Sequence, residues 1–198
     1  MINQEPFQMQ NSRKTKALIT GGVTFFSLCF LLWEHFHGGV ASHHILQQQN
    51  LPPISNWWNG LLLPILTWLL LDKTEKRLEE QSSQGKPTKN LQSQVLRLFT
   101  TGLVLGALIA TSFANGYSIF LDNVPYIIIV LSLIFPIYYP EFILGFILGM
   151  TYTFGAILPT LFILVLAAIG IVTYRFIRPI IIMLTMNLIN NLNKKPNR

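Results

Sequence analysis

All four histidines of the chain fall in one eleven-residue stretch, EHFHGGVASHH, at residues 34–44. Neutral imidazole is the commonest metal ligand, and a set of His and Glu side chains suits zinc, iron or copper. The chemistry expected of such a set is a divalent transition metal held by His37, His43 and His44, with Glu34 and His35 handling protons. A metal-bound water would then be the nucleophile. The spacing matches no established ligand template, and HExxH is absent. His35 and His37 project to one side only in an extended segment. His37 and His44 share a face only in an unbroken helix, which Gly38 and Gly39 oppose. Ser42 reads as the N-cap of a short helix over SHHILQQQN. Without a metal, the same stretch is a solvated polar loop.

Four more polar side chains are candidates. Asn56 and Asn59 lie in LPPISNWWNG, where two prolines hold the approach extended, Ser55 or Asn56 can cap a helix, and Trp57 and Trp58 suit a headgroup layer. Asp122 sits near Asn115 and Asn123, within reach of a role beside the histidines. Glu141 follows Pro140 in FPIYYPEFILG. It reads either as a first-turn acid favoured by the helix dipole or as a coupling carboxylate at a broken helix.

The elements that must position these groups are membrane helices. The chain is 51% hydrophobic and 11% charged, with a mean hydropathy of +0.47, whereas a soluble domain carries about a quarter charged residues. Apolar runs cover 17–33, 57–71, 98–114, 124–138 and 142–176. The last is long enough for two spans, with Pro159 as the expected break. Cys29 lies in the first run and is expected to be a buried thiol. That run follows Arg13, Lys14 and Lys16, and bulky residues stand where a cleavage site would be. It reads as a retained signal-anchor helix.

All 14 Lys and Arg occur before the first run, between the second and third, or at and beyond the end of the last. Because Lys and Arg are retained on the cytoplasmic side, the net charge of +6 reflects orientation and not nucleic-acid binding. The fold expected is an all-α, polytopic bundle of six spans with both termini inside, in a bacterial inner membrane. Four spans plus a re-entrant hairpin at 142–159 is the alternative with the same parity. The organisation follows: a cytoplasmic tail at 1–16, a first helix pair at 17–71 with an outer histidine-rich loop at 34–56, a cytoplasmic linker at 72–97, a four-helix membrane region at 98–178, and an interfacial or disordered tail at 179–198.

GLVLG (102–106) and GFILG (145–149) are both GxxxG. Such rows let helix backbones approach closely, so they are expected to be packing seams, within the chain or between copies. GALIATSFANG (106–116) and GFILGMTYTFG (145–155) are weakly alike, as in a parallel repeat of a helix hairpin. Thr111, Ser112, Thr151, Tyr152 and Thr153 would line a cavity or bond back to their own helices. No GxSxG or Walker loop is present. Three functions fit: a metal-dependent hydrolase of lipid-like substrates, a small transporter or channel gated by His or Glu, and a non-enzymatic accessory subunit. The lipid bilayer is the partner common to all three.

Overall fold

Apolar segments with no water to bond must satisfy their backbone internally, and here they do so as helices. The computed structural model describes residues 5–40, 42–44 and 53–193. Its helices are α1 (Glu5–Phe36), α2 (Asn59–Ser83), α3 (Thr88–Ala114), α4 (Ser118–Ile134), α5 (Pro140–Phe154) and α6 (Ile157–Val172), with α6 running through a π-helical turn, Thr173–Ile177, into α7 (Arg178–Asn193). Two three-residue strands, β1 (Ser42–His44) and β2 (Pro53–Ser55), pair antiparallel, with Ser42 opposite Ser55 and His44 opposite Pro53. Three stretches are long and apolar enough to cross a membrane: Arg13–Phe36, Lys89–Ala114 and Ile157–Asn190. Helices α4 and α5 are apolar but shorter.

Contacts at their ends fix the directions of the helices. α1 and α2 are antiparallel: Lys16 meets Asp72 at 3.1 Å, while Leu28 and Leu31 lie against Gly60. α2 and α5 are antiparallel too, with Arg77 on Glu141 at one end and Asn59 on Ala156 at the other. The bundle therefore has a basic end (Lys16, Asp72, Arg77, Glu141) and a histidine end (Glu34, His37, Asn59, Gly155).

α3 and α5 run parallel and touch through both GxxxG rows. A Cβ at Gly102 would overlap the carbonyl of Phe142, one at Gly106 that of Phe146, one at Gly145 that of Phe99, and one at Gly149 that of Leu103. The relation is reciprocal, as in a two-fold parallel pair. The rows thus fill each other within one chain. This seam seats α5 at the centre, where Phe142, Phe146 and Ile147 are fully buried. Ile137, Ile163, Leu63, Leu98 and Ile128 pack around the same core.

Several boundaries differ from those read in the sequence. The last apolar run breaks at Gly155, which has φ +68°, and not at Pro159. Pro159 sits in the first turn of α6, where a missing N–H leaves no helix bond unmade. α4 starts at Ser118, ahead of its apolar run, so Asp122 is helical. In agreement with the helical spacing of DKTEKRLEE, α2 runs on to Ser83, and a turn at 84–87, where Gly85 has φ +82°, leads into α3. The tail, read as interfacial helix or disorder, is helical to Asn193. Ser42 is in a strand and caps no helix; residues 45–50 of the expected short helix lie outside the described residues. Cys29 is exposed on α1 and not buried.

Forcing side-chain volume into a packed contact costs about 1–3 kcal/mol. Gly145→Val is expected to lower the melting temperature in detergent sharply, because its Cβ meets backbone. Gly21→Val, where an added Cβ meets nothing within 4 Å, is the control. Equal melting of the two variants would remove the seam from its structural role.

Candidate functional site

At the histidine end, α1 stops because Gly38 and Gly39 turn the chain with φ +119° and +96°. The Glu34 carbonyl accepts from the His37 and Gly39 amides at 3.1 and 3.0 Å. His37 is exposed, stacks on Trp33 with ring centroids 4.8 Å apart, and has Nδ1 2.9 Å from the Trp33 carbonyl oxygen. Facing a carbonyl oxygen, which can only accept, Nδ1 is the donor in that bond. His35 is exposed, against Phe36 and Trp57. Glu34 is partly buried, and its Oε2 has no hydrogen-bond partner among the described residues.

The backbones of His43 and His44 lie in β1, opposite Ile54 and Pro53; their side chains are outside the described residues. Among the described residues no group of three or more His, Cys, Asp or Glu is placed to hold a metal. Asp122 is exposed in the first turns of α4. Among the described residues, no hydrogen bond or ion pair joins it to the histidines.

Just inside this end the polar groups converge. Ser55 accepts from the Trp57 amide at 3.3 Å, as expected of a cap. The three-residue 3-10 turn that follows, Asn56–Trp58, turns Asn56 inward. Asn56 and Asn59 are each 2% exposed. Asn59 Oδ1 accepts from the Ala156 amide at 2.7 Å, which ties the start of α2 to the α5–α6 turn. Asn56 lies against Gly155, where its Oδ1 occupies the space a Cβ would need. The Nδ2 of both asparagines is buried without a partner among the described residues. Buried amides normally find partners, so this pair is a candidate site.

The basic end holds a second constellation. Glu141, 3% exposed, pairs through Oε1 with Arg77 Nη2. Thr74 donates to the Leu70 carbonyl at 2.9 Å and lies 3.5 Å from Glu141 Oε2. The guanidinium stands 4.3 Å over the Tyr139 ring and gives a further N–H to Gln81 at 3.2 Å. Beside it, Lys16 bridges Asp72 and Glu75. The Asp72 carboxyl is held below its ordinary range by its bonds to Lys76 first and Lys16 second.

Arg77, Thr74 and Thr67 were not singled out by residue type, although a signal existed. Residues 63, 67, 70, 74 and 77 recur at heptad spacing on α2, and Asn59 lies one turn before them. Thr67 is fully buried, and its hydroxyl lacks a partner among the described residues. One face of α2 thus carries Asn59, Thr67, Thr74 and Arg77 toward the interior, with Asn56 of the preceding turn beside it. By contrast, Thr111 and Thr151 bond back to Ala107 and Ile147 at 2.8 and 2.7 Å, which accounts for those hydroxyls.

No family model matches the chain, and no curated protein or solved structure is detectably similar to it.

Removing one partner of a buried ion pair strands the other and costs about 3–5 kcal/mol. Arg77→Ala and Glu141→Ala are each expected to destabilise the protein in detergent strongly, and Arg77→Met with Glu141→Leu to recover most of the loss. A double variant as unstable as the sum of the singles would show that the two side chains act apart.

Proposed function

We propose that this is a six-crossing protein of a bacterial inner membrane, with both termini in the cytoplasm, that moves a small polar solute or ion. Support for six crossings comes from α5, which reaches from Arg77 at one end of α2 to Asn59 at the other. A re-entrant hairpin would return to the end it left. Lys14, Lys73, Lys76, Lys89 and Arg175 all belong to segments at the basic end, which the positive-inside rule makes cytoplasmic. Single cysteines in a Cys29→Ser background are expected to react from the cytoplasm at Ser83→Cys and from outside at Tyr117→Cys. Labelling of both from one side would overturn the topology.

The transport reading is carried by the inward polar face of α2. Polar side chains inside a membrane are costly and persist where function holds them. Here they form a stripe between an amide pair and an ion pair, against a buried central helix. A solute passing between α2 and α5 would meet Asn56 and Asn59 first, then Thr67 and Thr74, and would have to part Arg77 from Glu141. Protonating Glu141 would weaken that lock, so a proton gradient is a suitable drive.

In liposomes under an imposed pH gradient, the wild-type protein is expected to accumulate one solute from a panel of amino acids, sugars and monovalent ions. The conservative Glu141→Asp variant should lose coupling while keeping its fold. No uptake of any solute, or unchanged uptake by the variant, would sink the reading.

A further inference from the structure

The chain leaves the bundle through α7. The apolar stretch Ile157–Asn190 has 34 residues. At 1.5 Å per residue it is about 51 Å long, against a hydrocarbon core of about 30 Å. The excess lies at the basic end. α6 starts at the histidine end, just after Gly155. Tyr174, in the π-helical turn, already has its ring 6.0 Å from that of Tyr138, next to Tyr139, on which Arg77 stacks. Arg178, the first residue of α7, stands 4.5 Å over the Tyr174 ring. α7 thus begins where the basic end is reached. Its apolar side chains are bare: Ile181, Leu184 and Leu188 are 45%, 54% and 64% exposed. Spaced three and four apart, they share one face of the helix; Asn187 and Asn190, three apart, share another. Charge narrows what can cover the apolar face. Arg175 and Arg178 stand at its start, Lys194, Lys195 and Arg198 follow it in sequence, and residues 142–198 hold no Asp or Glu. A second copy of α7, parallel or antiparallel, would set cation against cation at both ends with no carboxylate to relieve them. A nucleic acid would meet the cations and leave the leucines bare. An anionic bilayer surface meets both requirements, with acyl chains for the apolar face and phosphates for the cations.

We propose that α7 docks lengthwise on the cytoplasmic leaflet, with Ile181, Leu184 and Leu188 among the acyl chains and Arg175 and Arg178 on the phosphates of anionic lipids. A helix that has just crossed the bilayer must bend to lie along it. Two features that kink helices stand together at that point: the π-helical turn Thr173–Ile177, and Pro179, which has no N–H to give the Arg175 carbonyl. The bundle holds the start of α7 at the membrane surface, so docking needs no encounter with a partner from solution. The choice of leaflet rests on the topology reading; nothing here rests on the transport reading.

Adjacent residues on different faces give the test. In a Cys29→Ser background, Leu188→Cys and Asn187→Cys, both at exposed positions, each carry an environment-sensitive fluorophore. The full-length protein is placed in vesicles of phosphatidylcholine, alone or mixed with phosphatidylglycerol, with a spin-labelled acyl chain as quencher. Expected with phosphatidylglycerol is blue-shifted emission from Leu188→Cys, quenched several-fold more strongly than that from Asn187→Cys. The difference should shrink several-fold in phosphatidylcholine alone, and likewise when Arg175→Gln and Arg178→Gln are added. Water-like emission from Leu188→Cys in both lipids would overturn the docking. Blue-shifted emission without quenching would give the face to a second copy or another protein, and would overturn it too. Quenching indifferent to phosphatidylglycerol and to the two arginines would leave an apolar anchor and overturn the anionic-lipid site. Both leaflets of such vesicles carry the same lipids, so no outcome depends on which side α7 faces; the labelling at Ser83→Cys and Tyr117→Cys decides that separately.

Discussion

The close approach of α3 and α5 is the constraint on which the rest depends. In lipid there is no hydrophobic gain in bringing two apolar helices together; close packing has to supply the association. Four glycines, two on each helix, let carbonyl oxygens of one helix fit where Cβ atoms of the other would stand. With α5 held that deep, its first turn faces Arg77 and its last turn faces Asn59. The ion pair and the amide contact are thus consequences of where the seam puts α5. A parallel pair also requires an intervening helix that returns to the starting end, which is the part α4 plays.

The second organising contact is between α2 and α5. It is polar at both ends and apolar between, apart from Thr67. The turn at Gly155 has no side chain of its own, and the space is taken by Asn56. A buried guanidinium on Glu141 and an aromatic face is well satisfied except at Nε. The asparagines at the other end are only half satisfied. The two ends of one helix therefore differ in kind, one closed by charge and the other left with donors to spare.

Much of this was legible in the residues. Helix content and the parity of charge followed from run lengths and from where Lys and Arg sit. The two GxxxG rows announced a seam, though not that they would meet each other, because a row of small residues says nothing of its partner. Glu141 could be flagged as odd, but Arg77 lies 64 positions away in sequence, and only the antiparallel pairing of α2 and α5 joins them. The density of histidines raised the question of ligands; the glycine turn and Trp33 set His37 outward and Trp57 lies against His35, while the side chains of His43 and His44 lie outside the described residues. Residue type signals a capacity for chemistry; direction is decided by neighbours that composition does not reveal. Pro159 misled, since a proline breaks a helix only when it is not already in the first turn.

The shortness of α5 bears on how the chain is made. With 15 residues, it is about 22 Å long at 1.5 Å per residue, against a hydrocarbon core of about 30 Å, and it opens with a carboxylate. Released alone from the ribosome into lipid, it would be a poor guest. Within the fold, α2 and α3 offer it a guanidinium for its acid and a glycine groove for its backbone. The place of α5 is thus set by its assembly with α2 and α3 more than by its own length, and both of those partners precede it in the chain.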